Sequence, residues 1–130
     1  MEVLRVVENG CPFCEPHASR RFHEGEGIVG LWDGFPVAAG HALLVPKRHV
    51  ATWFDATPEE QHELVDGIAE AKRVIETQHQ PDGYTVGINI GEAAGQTVFH
   101  LHLHVIPRYF GDVSAPRGGV RGVIPSKQSY

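Results

Sequence analysis

Apolar and polar positions along this chain fall into blocks that predict strands, one long helix and then more strands. Residues 3–7 form a short apolar run that stops at Asn9-Gly10, a turn dipeptide. Residues 27–32 (GIVGLW) and 42–45 (ALLV) read as two strands, joined through Asp33-Gly34-Phe35-Pro36 and Gly40 as an antiparallel pair. Thr57-Pro58-Glu59-Glu60 then sets a capping threonine, a proline at the first helical position and a glutamate at the third. Leu64, Val65, Ile68, Ala71 and Ile75 follow at helical spacing, and Gln80-Pro81-Asp82-Gly83 closes a predicted helix of about 22 residues. Its charged residues form a solvated outer face.

A β-branched run at 84–90 (YTVGINI) predicts a strand ending at Gly91. After a loop of small residues, residues 98–106 (VFHLHLHVI) alternate strictly, and Pro107 is expected to end that strand. Period two puts His100, His102 and His104 on one face, about 7 Å between neighbours, and Phe99, Leu101, Leu103 and Val105 on the core face. The pattern is α+β, with a mainly antiparallel five-stranded sheet, one long helix and one or more short ones. No internal repeat or linker divides it, so residues 1–130 are expected to form one domain, with a core at about 11–108 and an irregular tail at 111–130.

Composition narrows the function classes. Sixteen acids against eleven bases leave a net charge of −5, which argues against a nucleic-acid partner held by phosphate neutralisation. No apolar run is long enough to span a bilayer, so no membrane partner is expected. Met1-Glu2-Val3 does not open as a signal peptide, and the two cysteines suit a reducing compartment, so a cytoplasmic location is expected. Nine histidines then ask for a purpose.

Three histidines in strict alternation are poor packing for a half-buried strand, and two chemistries can use them. They can ligate a metal, or one can attack phosphorus while its neighbours hold phosphate oxygens. The preceding Gly91-Glu92-Ala93-Ala94-Gly95-Gln96-Thr97 favours the second, because backbone N–H groups of such a turn hold anions. Cys11-Pro12-Phe13-Cys14 is likewise open to three readings: a thioredoxin-like redox pair, half of a tetrahedral zinc site, or two buried thiols. The residues after Cys14 carry no apolar stripe, which removes the helix a redox pair opens. His17, His23, His62 and His79 read as surface residues, and His41 as a residue capping or lining a turn. Trp32, Phe35 and Phe22 read either as core or as walls of a nucleobase pocket.

The stretch from Gly87 to Arg108, centred on His100-Leu101-His102-Leu103-His104-Val105-Ile106, resembles the signature of the histidine triad (HIT) superfamily. The likeness continues upstream through Pro36-Val37-Ala38-Ala39-Gly40-His41 to Pro46-Lys47-Arg48-His49. What the resemblance implies is a HIT-like fold and a nucleotide hydrolase of the bacterial type, acting at the α-phosphate of a dinucleoside polyphosphate or nucleoside phosphoramidate. It implies His102 as the nucleophile that forms a covalent nucleotidyl-histidine. His104 would contact the phosphate and the leaving oxygen. Asn89, Gln96 and Thr97 would hold phosphate or orient the site, and Asp33 would bind the ribose hydroxyls. It also implies a structural zinc ion on Cys11, Cys14, His49 and His100, and a homodimer. The tail reads equally in two ways: as a segment that reaches a neighbouring active site and supplies Arg117 or Arg121 to distal phosphates, or as a loosely packed terminus. A nucleotidyltransferase or phosphorylase, a non-catalytic nucleotide-binding protein on the same fold, and a thiol oxidoreductase are the alternatives.

Overall fold

The computed structural model describes residues 10–130, so the apolar run at 3–7 lies outside the described residues. Five strands form one antiparallel sheet: β1 (Arg21–Glu24), β2 (Ile28–Trp32), β3 (Ala42–Pro46), β4 (Gly83–Gly87) and β5 (Leu103–Arg108). Their order across the sheet is β1-β2-β3-β5-β4. One helix, α1 (Pro58–Ile75), crosses between β3 and β4 and packs on one face. The architecture is the α+β one expected from the sequence.

Register decides which residues share a face. Leu31 pairs with Leu43, and Leu43 with His104, so these three point the same way. Ala42 and Leu44, paired with Val105 and Leu103, point the other way and meet Leu64, Ala71 and Ile75 of α1. The first set joins Phe13, Val29 and Val45 in a second small core on the face away from the helix. His104 therefore belongs to the helix-free face.

The end of the helix, the burial of Val65 and the place of Pro107 differ from the sequence reading. The helix runs 18 residues and stops at Ile75. The Thr77 hydroxyl donates to the Val74 carbonyl at 2.6 Å, and the N–H groups of Thr77 and Gln78 turn to carbonyls three residues back, tightening the last turn out of the α-helical path. Val65, placed on the apolar face, is instead exposed. Pro107 lies inside β5 and is fully buried. The pairing of β5 with β3 ends at Val105, so beyond that point β5 has only β4 beside it and a missing N–H leaves no bond to β3 unmade.

The histidine segment itself is mostly not strand. Regular pairing begins at Leu103, because the Leu101 N–H turns to the Val50 carbonyl at 2.7 Å. Alternation persists for Leu101, Leu103 and Val105, which are buried, but Phe99 is half exposed rather than core. The strand expected at 84–90 is Gly83–Gly87, since β5 offers it no partner before Leu103. Strand β1 was not expected at all: Arg21-Phe22-His23-Glu24 carries one apolar residue, whose ring lies 4.6 Å from that of Trp32 and covers Gly30.

Candidate functional site

Two clusters of chemistry-bearing side chains meet on the helix-free face. The first joins Cys11, Cys14, His49 and His100. His100 is fully buried, and its Nε2–H donates to the Pro46 carbonyl at 2.7 Å. That bond leaves the Nδ1 lone pair of the neutral ring facing the cluster. Nδ1 of His100 lies 3.5 Å from Cys11 Sγ, 3.6 Å from Cys14 Sγ and 3.1 Å from His49 Nδ1, while His49 Nδ1 is 3.1 Å from Cys14 Sγ. Zinc bonds of ordinary length in a tetrahedron place N···N at roughly 3.3 Å and N···S at roughly 3.6 Å. Two thiols, two imidazoles, those edge lengths and a carbonyl orienting one ring from behind fit a zinc ion.

The knuckle between the two cysteines reaches the second cluster. Phe13 is buried, with its ring centroid 6.1 Å from that of His100 and 5.0 Å from that of His102. His102 is also held by the backbone: its Nδ1–H donates to the His100 carbonyl at 2.8 Å. A carbonyl only accepts, so the Nε2 of the neutral ring carries the lone pair. The tautomer of His102 is thereby fixed by the residue two places before it.

His104 follows at 5.2 Å between ring centroids. Its Nδ1 is 2.9 Å from Nε2 of His41, and that same Nε2 is 3.3 Å from Asp33 Oδ2. The Val37 N–H donates to His41 Nδ1 at 3.2 Å. His41 Nδ1 is therefore an acceptor, its proton sits on Nε2, and it donates to His104 Nδ1. His104 in turn bears its proton on Nε2, the free edge of the ring. Burial pulls the pKa of His41 down against the pull of Asp33. Burial, with His102 and His41 beside it, lowers that of His104 to about 4. The chain of tautomers is thus the neutral one at pH 7. Asp33, His41 and His104 lie close enough to share a cation, but the protonated His41 Nε2 has no lone pair to give it.

The other expected contacts divide. Asn89 lines a cavity with His41 and His104. Gln96 is buried, with its oxygen accepting from the Gly91 N–H at 2.8 Å and its amide donating to the Ala51 and Val98 carbonyls at 2.7 and 3.1 Å. It shapes the loop from within. Thr97 is exposed at the end of that loop. Trp32 is half buried against Phe22, whereas Phe35 is 92% exposed beside the Asp33 turn. Neither tail arginine reaches toward His104. Arg121 donates to the Lys127 and Gln128 carbonyls, and Arg117 and Arg121 each stand 5.0 Å over the Tyr130 ring. Within the single chain, tail carbonyls and the Tyr130 ring hold both guanidiniums.

His41 and Phe13 were missed. His41 follows a glycine and opens a wholly apolar strand, so a histidine buried there was the available signal. Phe13 offered only its place between two cysteines.

Known proteins match this arrangement. The profile of the HIT domain matches residues 17–111. "Protein hit" of Bacillus subtilis (strain 168) is 35% identical over 110 residues, covering 82% of this chain and 75% of the relative. The "AP-4-A phosphorylase" of Mycobacterium tuberculosis is 37% identical over 91 residues, 69% of this chain and 47% of its own length. The crystal structure of a "ZN-bound histidine triad family protein" from Mycobacterium smegmatis superposes with a TM-score of 0.64 at 37% identity, over 82% of this chain and 80% of that one. With the profile spanning the whole sheet, from before β1 to past β5, the chain belongs to the HIT family.

Proposed function

We propose that this protein is a nucleotide hydrolase that cleaves at the α-phosphate through a covalent nucleotidyl-histidine on His102. The observation that carries the reading is the 2.8 Å bond from His102 Nδ1–H to the His100 carbonyl, which directs the Nε2 lone pair outward. Holding the ring in one tautomer beside a bound phosphoryl group removes orientation cost from the attack. His104 offers a neutral N–H for a phosphate oxygen or the leaving atom. Asp33 stands next to the same array, and its Oδ1 accepts from the Phe35 N–H at 2.7 Å, which fixes the carboxylate for ribose hydroxyls. Asn89 and Thr97 supply phosphate donors, and Gln96 holds the loop that presents them.

Cys11, Cys14, His49 and His100 hold a zinc ion in this reading. Four protein ligands leave such an ion no open position, so it supplies cross-linking rather than Lewis acidity. We further propose a homodimer joined along β4, which pairs with β5 on one side only, as one domain in the cytoplasm.

The test is rapid quench with nucleotides labelled at the α-phosphate. Wild-type protein is expected to carry an acid-labile label during turnover, and His102→Ala to carry none and lose at least 1000-fold in rate. Turnover unchanged in His102→Ala would overturn the reading.

A further inference from the structure

Phe13 stands on the turn between Cys11 and Cys14, a place where side chains ordinarily face water. It is instead buried, packed with Val29, Leu31, Leu43 and Val45 in the small core of the helix-free face. Not all of its neighbours belong to that core. Its ring centroid lies 5.0 Å from that of His102, with 46° between the planes, and 6.1 Å from that of His100, edge-on at 81°. One aromatic ring thus meets both the imidazole of His102 and the residue whose carbonyl holds it.

The hydrogen bond and the ring constrain different motions. The 2.8 Å bond from His102 Nδ1–H to the His100 carbonyl fixes the tautomer and ties one atom of the imidazole. A ring tied at one atom still swings about that bond, and Nε2 moves with the swing. Phe13 stands against it, with the His104 ring 5.2 Å away at 71°. Phe13 itself has little freedom. Cys11 and Cys14 on either side belong to the four-residue cluster, where Cys14 Sγ is 3.1 Å from His49 Nδ1. Pro12, directly before it, has its own φ locked by its ring.

We infer that Phe13 is a positioning residue for His102: the cysteine knuckle holds the Phe13 ring, and that ring holds the imidazole at the angle from which Nε2 attacks. The inference rests on the proposed role of His102 as nucleophile. It ties the four-residue cluster to the rate of attack without placing any of the four against the substrate.

The experiment compares zinc-loaded wild type, Phe13→Leu and Val29→Ala in single-turnover labelling with adenosine 5′-phosphoramidate and diadenosine tetraphosphate, each labelled at the α-phosphate. Phe13→Leu keeps an apolar side chain and removes the ring, while Val29→Ala weakens the same core from β2. Misplacing a reacting atom by about 1 Å costs about 100-fold, so Phe13→Leu is expected to lower the maximal labelling rate about 20-fold or more, with the half-saturating concentration within about twofold. Its zinc is expected to be retained. Val29→Ala is expected to lose Tm by a comparable amount and to label at the wild-type rate.

An unchanged rate in Phe13→Leu, or an equal loss of rate in Val29→Ala, overturns the inference. A loss confined to the half-saturating concentration also overturns it, because Phe13 then touches the nucleotide. Should wild type take no label, the nucleophile reading falls, and nitrogen-15 spectra of the zinc-loaded proteins decide the rest. A single His102 tautomer, protonated on Nδ1, in wild type and Val29→Ala but mixed in Phe13→Leu keeps the positioning role. The same His102 signals in all three proteins overturn it.

Discussion

At the scale of single residues, the site works by fixing which nitrogen carries each proton. The Val37 N–H, His41 and His104 form one directed chain, and the His100 carbonyl directs His102 separately. The pH dependence of stability exposes the first of these. An unfolded histidine titrates near 6.5, whereas folded His104 titrates at about 4, so between those values the unfolded chain binds more protons. The stability present above pH 6.5 therefore falls as the pH drops toward 4, and His41 adds a change of the same sign. Urea midpoints measured from pH 4 to 7 are expected to fall on acidification, and less steeply in His104→Gln. Parallel profiles would count against the buried neutral tautomer. The alternation of His100, His102 and His104 was legible from residue type and spacing, whereas the grouping of Cys11, Cys14, His49 and His100 came only from the resemblance to the histidine triad superfamily. His41 was not legible, because its meaning lies in a 2.9 Å contact with a residue 63 positions away.

At the scale of elements, α1 was the most readable part of the chain. Its start carries every local signal: the Thr57 hydroxyl accepts from the Glu60 N–H, Glu60 accepts from the Thr57 N–H, and Pro58 occupies the first turn. Thr57→Ala is expected to cost about 1 kcal/mol, read as a lowered urea midpoint with an unchanged slope. Leu64→Ala, in the middle of the buried stripe, is expected to cost about 2–5 kcal/mol. The end of α1 was less readable, because the Thr77 hydroxyl competes for the helix's own carbonyls. Strand boundaries failed for a different reason: a partner's length sets where pairing stops, and no local pattern in β4 or β5 announces it. Strand β1 went unseen because Glu63, from α1, fixes the neighbouring turn, its carboxylate accepting from the Gly27 N–H at 2.8 Å.

At the scale of the whole molecule, the sheet is a divider. One face is sealed by α1, and the other gathers Cys11, Cys14, His49 and His100 from three distant segments of chain. Dialysis against a strong chelator is expected to remove one equivalent of zinc per chain and lower Tm, with Cys14→Ser giving the same result without chelator. A chain that purifies without metal and ignores the chelator would refute the zinc assignment. Light scattering is expected to give twice the chain mass, and a lysine at Thr85 in exposed-edge β4 to shift it toward one. None of the described helices is long and apolar enough to cross a membrane.

The cysteine–histidine cluster also imposes an order on biosynthesis. Cys11 and His100 are 89 positions apart, so at about 5–20 residues per second Cys11 waits about 4–18 s for its last partner. Throughout that interval an emerging chain exposes a bare thiol pair. The ribosome has therefore delivered more than three-quarters of these 130 residues before the proposed zinc cross-link can close, and thiol-reactive conditions are expected to threaten the nascent chain more than the finished one.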